Sequence, residues 1–258
     1  MFGLIFFAVV LIGFFLWRWQ SRKQEEERPI PANIPQVLQE EIGYFRKLSA
    51  PQQQVFAGAV IHFLRKTRIE GIGTSITDRD RLLVAASAVI PIFGFPSWEY
   101  RNLTDVLIYD GNFNEAFETS GNNRDTMGMV GSGYMNGKMI LSKAALREGF
   151  SNQTDKSNTA IHEFVHLLDK ADGAVDGLPE SLLPHQYSLP WLDMIHQQML
   201  AIRQNRSDIN PYGLTNKAEF FAVVAEYFFE RPDLLQSKHP ELFEMLQKIF
   251  RQEPGSPQ

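Results

Sequence analysis

Thr159-Ala160-Ile161-His162-Glu163-Phe164-Val165-His166-Leu167-Leu168-Asp169 carries the spacing His-Glu-x-x-His inside a run that favours a helix. Four residues is little more than one helical turn, so His162 and His166 project from one face and can offer two imidazole nitrogens to one ion. Glu163 lies beside that face, where its carboxylate can reach a water on the ion without being a ligand, as a general base requires. Ile161, Phe164, Val165, Leu167 and Leu168 fill the other positions, so the helix is expected to be enclosed by protein. Burying two imidazoles and a carboxylate is costly unless a metal or hydrogen bonds compensate. One Zn2+ per chain is therefore the expected cofactor.

A catalytic zinc takes a third protein ligand and keeps a position for water. Three acidic residues compete for that place. Asp172 stands where an HExxHxxGxxH pattern has its last ligand, but the turn-making Gly of that pattern is Asp169 here, so the helix is expected to run on past the ion. Glu219 and Glu226 lie seven apart in Lys217-Ala218-Glu219-Phe220-Phe221-Ala222-Val223-Val224-Ala225-Glu226-Tyr227-Phe228-Phe229, on one face of an otherwise apolar helix. Glu219 also fits a helix-start box with Asn216, and Glu226 also fits a buried carboxylate that hydrogen-bonds a ligand histidine. His62, His185, His196 and His239 are isolated and read as ordinary histidines.

Composition narrows the chemistry further. The 258 residues are 44% hydrophobic and 21% charged, with 4 Trp, 7 Tyr and 20 Phe, enough to bury a sizeable core. The 25 Lys and Arg against 30 Asp and Glu leave a net charge of -5, which gives no general attraction for phosphate backbones, so no direct nucleic-acid partner is expected. With no cysteine, disulfides, a thiol nucleophile, a Cys-ligated iron-sulfur cluster and a Cys-based zinc finger are excluded.

Met1 to Trp17 carry no charged side chain, and Arg18, Arg22 and Lys23 follow at once. That asymmetry predicts a transmembrane anchor over residues 1–20 that makes the membrane a partner of the chain. The protein is then expected in the inner or cytoplasmic membrane as a single-pass protein, N-terminus outside and catalytic domain in the cytoplasm. A cleaved signal would need a basic region before the run and a small-residue cleavage site after it. Residues 21–35 read as a tether, 36–250 as the folded domain and 251–258 as a disordered tail.

Within the domain, Gln36 to Arg68 predicts two helices broken at Ser49-Ala50-Pro51. Thr77 or Asp78 caps a buried helix reaching Ile90. Val106 to Tyr109 and Met139 to Leu141 predict strands, Gly121 to Gly137 an exposed loop or hairpin beside the site, and Ser157 to Phe250 mostly helix. The fold class is thus α+β, mainly helical, with a small sheet and one N-terminal transmembrane helix.

The combination of HEFVHLLDKADG, a distal AEFFAVVAEYFF and a Tyr-Gly-x-Thr-Asn lead-in resembles the glucose-regulated metallopeptidases, the Mlc titration factor A-like zinc peptidases, and more distantly the lethal-factor catalytic domain. The resemblance spans roughly Gln36 to Phe250 and implies a zincin-like domain. It implies that Glu219 is the third zinc ligand beside His162 and His166. Glu226 becomes a supporting residue, and Tyr212, seven positions before Glu219, assists at the oxyanion. Asp169, Asp172-Gly173 and Asp176-Gly177 fit the family's acidic, glycine-bearing loop, with Asp169 a second supporting carboxylate.

The expected function is a membrane-anchored zinc peptidase, with aminopeptidase-like action on short or accessible peptides implied by the resemblance and Glu163 activating the attacking water. The rival from another class is a membrane-held regulatory protein that captures a cytoplasmic transcriptional repressor, since members of the family resembled bind one. A purely structural zinc would need four closed ligands and gains nothing from Glu163.

Overall fold

In the computed structural model, which describes residues 29–111, 128–130, 137–152 and 155–255 together with Phe7 and Gly13, short polar residues start the helices and apolar faces assemble them. The first are α1 (Ile34–Glu41), α2 (Gly43–Arg46) and α3 (Ala50–Lys66). Ser49 sets the start of α3, its N–H donating to Gln52 Oε1 at 2.9 Å. Strand β1 (Arg68–Gly71) follows, then α4 (Asp78–Ile92). Thr77 caps α4 reciprocally: the Asp80 N–H donates to Thr77 Oγ1 at 3.3 Å and the Thr77 N–H to Asp80 Oδ2 at 2.8 Å. From Leu82 to Pro91 every residue of α4 is buried.

Strands β2 (Asp105–Tyr109), β3 (Gly128–Val130) and β4 (Lys138–Ser142) complete a four-stranded sheet in the order β1-β2-β4-β3. β1, β2 and β4 run parallel and β3 lies antiparallel on the β4 edge. Val106, Ile108, Met139, Ile140 and Leu141 turn the centre of the sheet into core. Ser142 ends β4 and caps α5 (Lys143–Ser151), its Oγ accepting the Ala145 N–H at 3.3 Å. Arg147 of α5 reaches back to the wholly buried Asp80 with two bonds, at 2.7 and 3.0 Å.

The second half is helical: α6 (Thr159–Asp169), α7 (Ser188–Arg203), α8 (Lys217–Glu230), α9 (Pro232–Lys238) and α10 (Pro240–Phe250). α6 packs against α4 on one side and α8 on the other. α8 is buried nearly all round, which is why its sequence lacks a polar stripe. Phe250 of α10 stacks on Phe221 with ring centroids 5.7 Å apart and also meets Phe228 and Phe229. Beyond it, Gln252 is buried: its side chain donates to the carbonyls of Ile90 at 3.0 Å and Pro91 at 3.3 Å, and accepts from the Tyr44 hydroxyl at 2.5 Å.

A mainly helical chain with a small sheet is what the sequence predicts, but its membrane-spanning helix is corrected: among the described residues no helix is long and apolar enough to cross a membrane. The longest of them, α3 with 17 residues, carries Gln52, Gln53, Arg65 and Lys66, and the more apolar α4 and α8 owe their composition to burial inside the domain. Residues 1–20, apart from Phe7 and Gly13, lie outside the described residues, as do 21–28, most of the expected loop from Gly121 to Gly137, and residues 256–258. The expected location as a single-pass protein of the inner or cytoplasmic membrane, with the N-terminus outside and the catalytic domain in the cytoplasm, is overturned on the same ground.

Candidate metal centre

Asn158 begins the helix that carries His162, Glu163 and His166. Its Oδ1 accepts the Ile161 N–H at 3.2 Å, and its Nδ2 donates to Gly149 O at 3.1 Å and to Glu230 Oε1 at 3.0 Å. One turn in, His162 and His166 face the same way, with Nε2 atoms 3.1 Å apart and ring centroids 4.7 Å apart. Glu219 comes from the first turn of α8, where Asn216 Oδ1 accepts its N–H at 2.9 Å. Its Oε2 lies 3.0 Å from His162 Nε2 and 3.4 Å from His166 Nε2. Among the described residues, only His162, His166 and Glu219 bring three metal-ligating atoms within 4.8 Å of one another.

A family model described as Glucose-regulated metallo-peptidase M90 matches residues 16–251. The chain belongs to this metallopeptidase family. An uncharacterized protein of Synechocystis sp. is 31% identical to it over 253 residues, covering 94% of this chain and 92% of the relative. Mlc titration factor A of Pectobacterium atrosepticum is 28% identical over 224 residues, covering 80% and 82% respectively. Its namesake in Klebsiella pneumoniae is 25% identical over 257 residues, covering 93% and 92%.

The donor set suits the metal that the family name implies. Two imidazole nitrogens and a carboxylate oxygen converge, and the nitrogens, 3.1 Å apart, leave room for one shared proton at most. Such a group of lone pairs calls for a cation, and nitrogen and oxygen donors of this kind suit zinc. The charge distribution agrees. Burial opposes a positive His162, yet Glu226 and Glu219 overcome it and push its pKa up to about 10. Burial likewise opposes an ionised Glu219, and the two histidines reverse that, bringing its carboxyl down to about 2. The carboxylates that favour a positive His162 also favour a cation between these atoms.

Around this group the chain places the other candidates unequally. Glu226 Oε1 lies 2.7 Å from His162 Nδ1, while its Oε2 accepts the Asn158 N–H at 2.6 Å and the Ser157 hydroxyl at 3.1 Å. Glu163 is buried beside His162, and burial pushes its pKa up against the opposing pull of His162 and His166. Asp169 Oδ2 accepts the Gly177 N–H at 2.9 Å, and burial raises this carboxyl to about 6. Asp169 Oδ1 and His166 Nδ1, three residues apart on one face of α6, are both buried without a hydrogen-bond partner among the described residues.

Tyr212 sits on a short 3-10 turn (Pro211–Leu214), 54% exposed, its ring centroid 6.0 Å from that of His162. Partial burial, then the charges of Glu219, Glu163 and Glu226, raise its pKa, so the hydroxyl keeps its proton. Asp208 anchors the loop before it by accepting from Tyr227, Lys156, Lys238 and His239.

Asp172 stays apart, accepting the N–H groups of Ala174 at 3.0 Å and Glu180 at 3.2 Å. His62 lies against Glu99 and His239 against Asp208, each in an ordinary polar pair. Asn158 escaped the sequence reading, although an Asn just before the apolar run signals a helix start. Gly128 of β3, packed directly on Glu163, left no signal in the sequence.

Proposed function

We propose that the site holds one Zn2+ through His162 Nε2, His166 Nε2 and the Glu219 carboxylate, and hydrolyses peptide bonds with Glu163 as the general base. The observation that carries this reading is the convergence of those three donor atoms beside a buried glutamate that belongs to none of them. When bound, zinc supplies Lewis-acid polarisation of a carbonyl and lowers the pKa of water toward about 7. Glu163 takes the proton of the attacking water on its carboxylate and passes it to the leaving amine. Glu226 accepts a hydrogen bond from His162 Nδ1, which leaves Nε2, on the side of His166 and Glu219, as the nitrogen that would hold the ion. Asp169 supports the same helix from the turn beyond His166. The Tyr212 hydroxyl, still protonated at neutral pH, donates to the oxygen that gains charge as the carbonyl is attacked.

The name of two relatives, Mlc titration factor A, favours a second reading in which the chain captures a transcriptional regulator and hydrolysis is secondary. Glu163→Gln separates the two. The full chain is loaded with zinc and assayed for metal content and for cleavage of aminoacyl and peptidyl p-nitroanilides. One zinc per chain in both proteins, with hydrolysis only in the unmodified one, is the expected result. Zinc without hydrolysis in the unmodified protein favours capture, and hydrolysis by Glu163→Gln removes Glu163 from the role of base.

A further inference from the structure

β3 meets α6 at a point where no side chain stands between them. Gly128 opposes Leu141 in the antiparallel pairing with β4, at the edge of the sheet. A Cβ at Gly128 would lie 2.6 Å from Glu163 Cγ, 2.7 Å from its Oε1 and 2.9 Å from its Cδ. Carbon atoms pack at about 3.5–4.0 Å, so even one methyl group cannot coexist with this carboxylate position. The backbone conformation does not demand glycine here. Gly73, Gly137, Gly173, Gly177 and Gly255 have positive φ, and Gly128 is not among them. The three atoms nearest a side chain at 128 all belong to Glu163.

We propose that Gly128 is a positioning residue for Glu163: the bare backbone of β3 forms the wall against which the carboxylate rests, and so sets where it can accept a proton. This rests on the reading of Glu163 as general base. The atoms that a methyl at 128 would displace, Cγ, Cδ and Oε1, all belong to the Glu163 side chain and none to the backbone. Moving them disturbs the fold little and the proton acceptor a great deal. A displacement on the order of 1 Å in a reacting group can cost about 100-fold in rate.

The test is Gly128→Ala in the full chain, with Gly111→Ala as the control, since among the described residues a Cβ at Gly111 meets nothing within 4 Å. The expected result for Gly128→Ala is one zinc per chain, an unchanged melting temperature to within a few degrees, and kcat on a peptidyl p-nitroanilide down about 10- to 100-fold with KM changed by less than about threefold. Glu163→Asp, whose carboxylate is one methylene shorter, should cost clearly less in the Gly128→Ala background than in the native one, because it clears the added methyl. A crystal structure of Gly128→Ala should show the Glu163 carboxylate displaced by roughly 1 Å or more. Unchanged kcat, additive losses, or loss of zinc or of the fold would each overturn the proposal. Should Glu163→Gln still hydrolyse peptides, the general-base reading fails, and the crystallographic position of Glu163 still decides whether Gly128 sets it.

Discussion

Glu226 Oε1 stands 2.7 Å from Nδ1 of His162, on the edge of the imidazole opposite the nitrogen that faces Glu219. A carboxylate in that position fixes the tautomer and the ring orientation without touching the ion. Glu226→Gln should therefore weaken zinc binding by about 10- to 100-fold and leave the stoichiometry at one when zinc is in excess. Competition against a calibrated chelator measures this. Complete loss of zinc would make Glu226 a ligand instead.

Glu219 is expected to behave differently. Its backbone N–H belongs to the Asn216 cap, while its carboxylate turns away from the cap toward the two histidines. Glu219→Ala should lose stoichiometric zinc and hydrolysis while α8 stays capped. Asn216→Ala should keep zinc and lower stability by about 1 kcal/mol. Metal analysis and urea denaturation of the two variants check the pair.

Tyr212→Phe removes one hydroxyl from a half-exposed ring and leaves the three metal-ligating atoms in place. Loss of a single donor to a developing oxyanion costs about 100- to 1000-fold in kcat. Metal affinity should not change. Steady-state kinetics beside a zinc titration separate the two effects, and an equal fall in both would place Tyr212 in the metal site itself.

Asp80 sits wholly buried under α5. Burial would raise its pKa, but Arg147 and the Thr77 backbone and hydroxyl hold it below the usual carboxylate range. A carboxyl whose folded pKa is depressed adds stability above its unfolded value, about 3.9, and that stability is lost as pH falls through the folded value. Arg147→Met should cost about 2 kcal/mol at pH 7 and move acid unfolding to higher pH. Urea midpoints between pH 7 and pH 2 test this: the gap between the two proteins should shrink as Asp80 protonates.

The sequence made α6 legible because His162, Glu163 and His166 combine helical spacing with apolar flanks. It left Glu219 ambiguous for a physical reason: a helix-start box and a metal site both want a carboxylate at that point of a first turn. The structure divides the residue between them, backbone to the cap and carboxylate to the histidines. β1 was hidden because Arg68-Ile69-Glu70-Gly71 has one apolar side chain, and pairing with β2 holds it in the sheet. β3 falls inside the expected loop or hairpin from Gly121 to Gly137, but its contact with Glu163 was hidden because a close approach between backbone and side chain is a tertiary fact that leaves no periodicity. Residues 1–20 were read from hydropathy and from the charges of Arg18, Arg22 and Lys23, and apart from Phe7 and Gly13 they lie outside the described residues.

The burial of Gln252 between Tyr44 and the end of α4 has a consequence for the timing of synthesis. Domains fold as units while the ribosome delivers the chain from its N-terminus. Here the first helices and the helix of Glu219 are closed over by Phe250 and Gln252, which are made after all of the site residues. A nascent chain that has not yet reached Phe250 has α6 and α8 but lacks the aromatic clasp on α8. The site therefore matures only after its own helices have been made. Ribosome-stalled chains should gain protease resistance only when a linker carries Gln252 clear of the exit tunnel, and chains ending at Ile249 should stay sensitive after release.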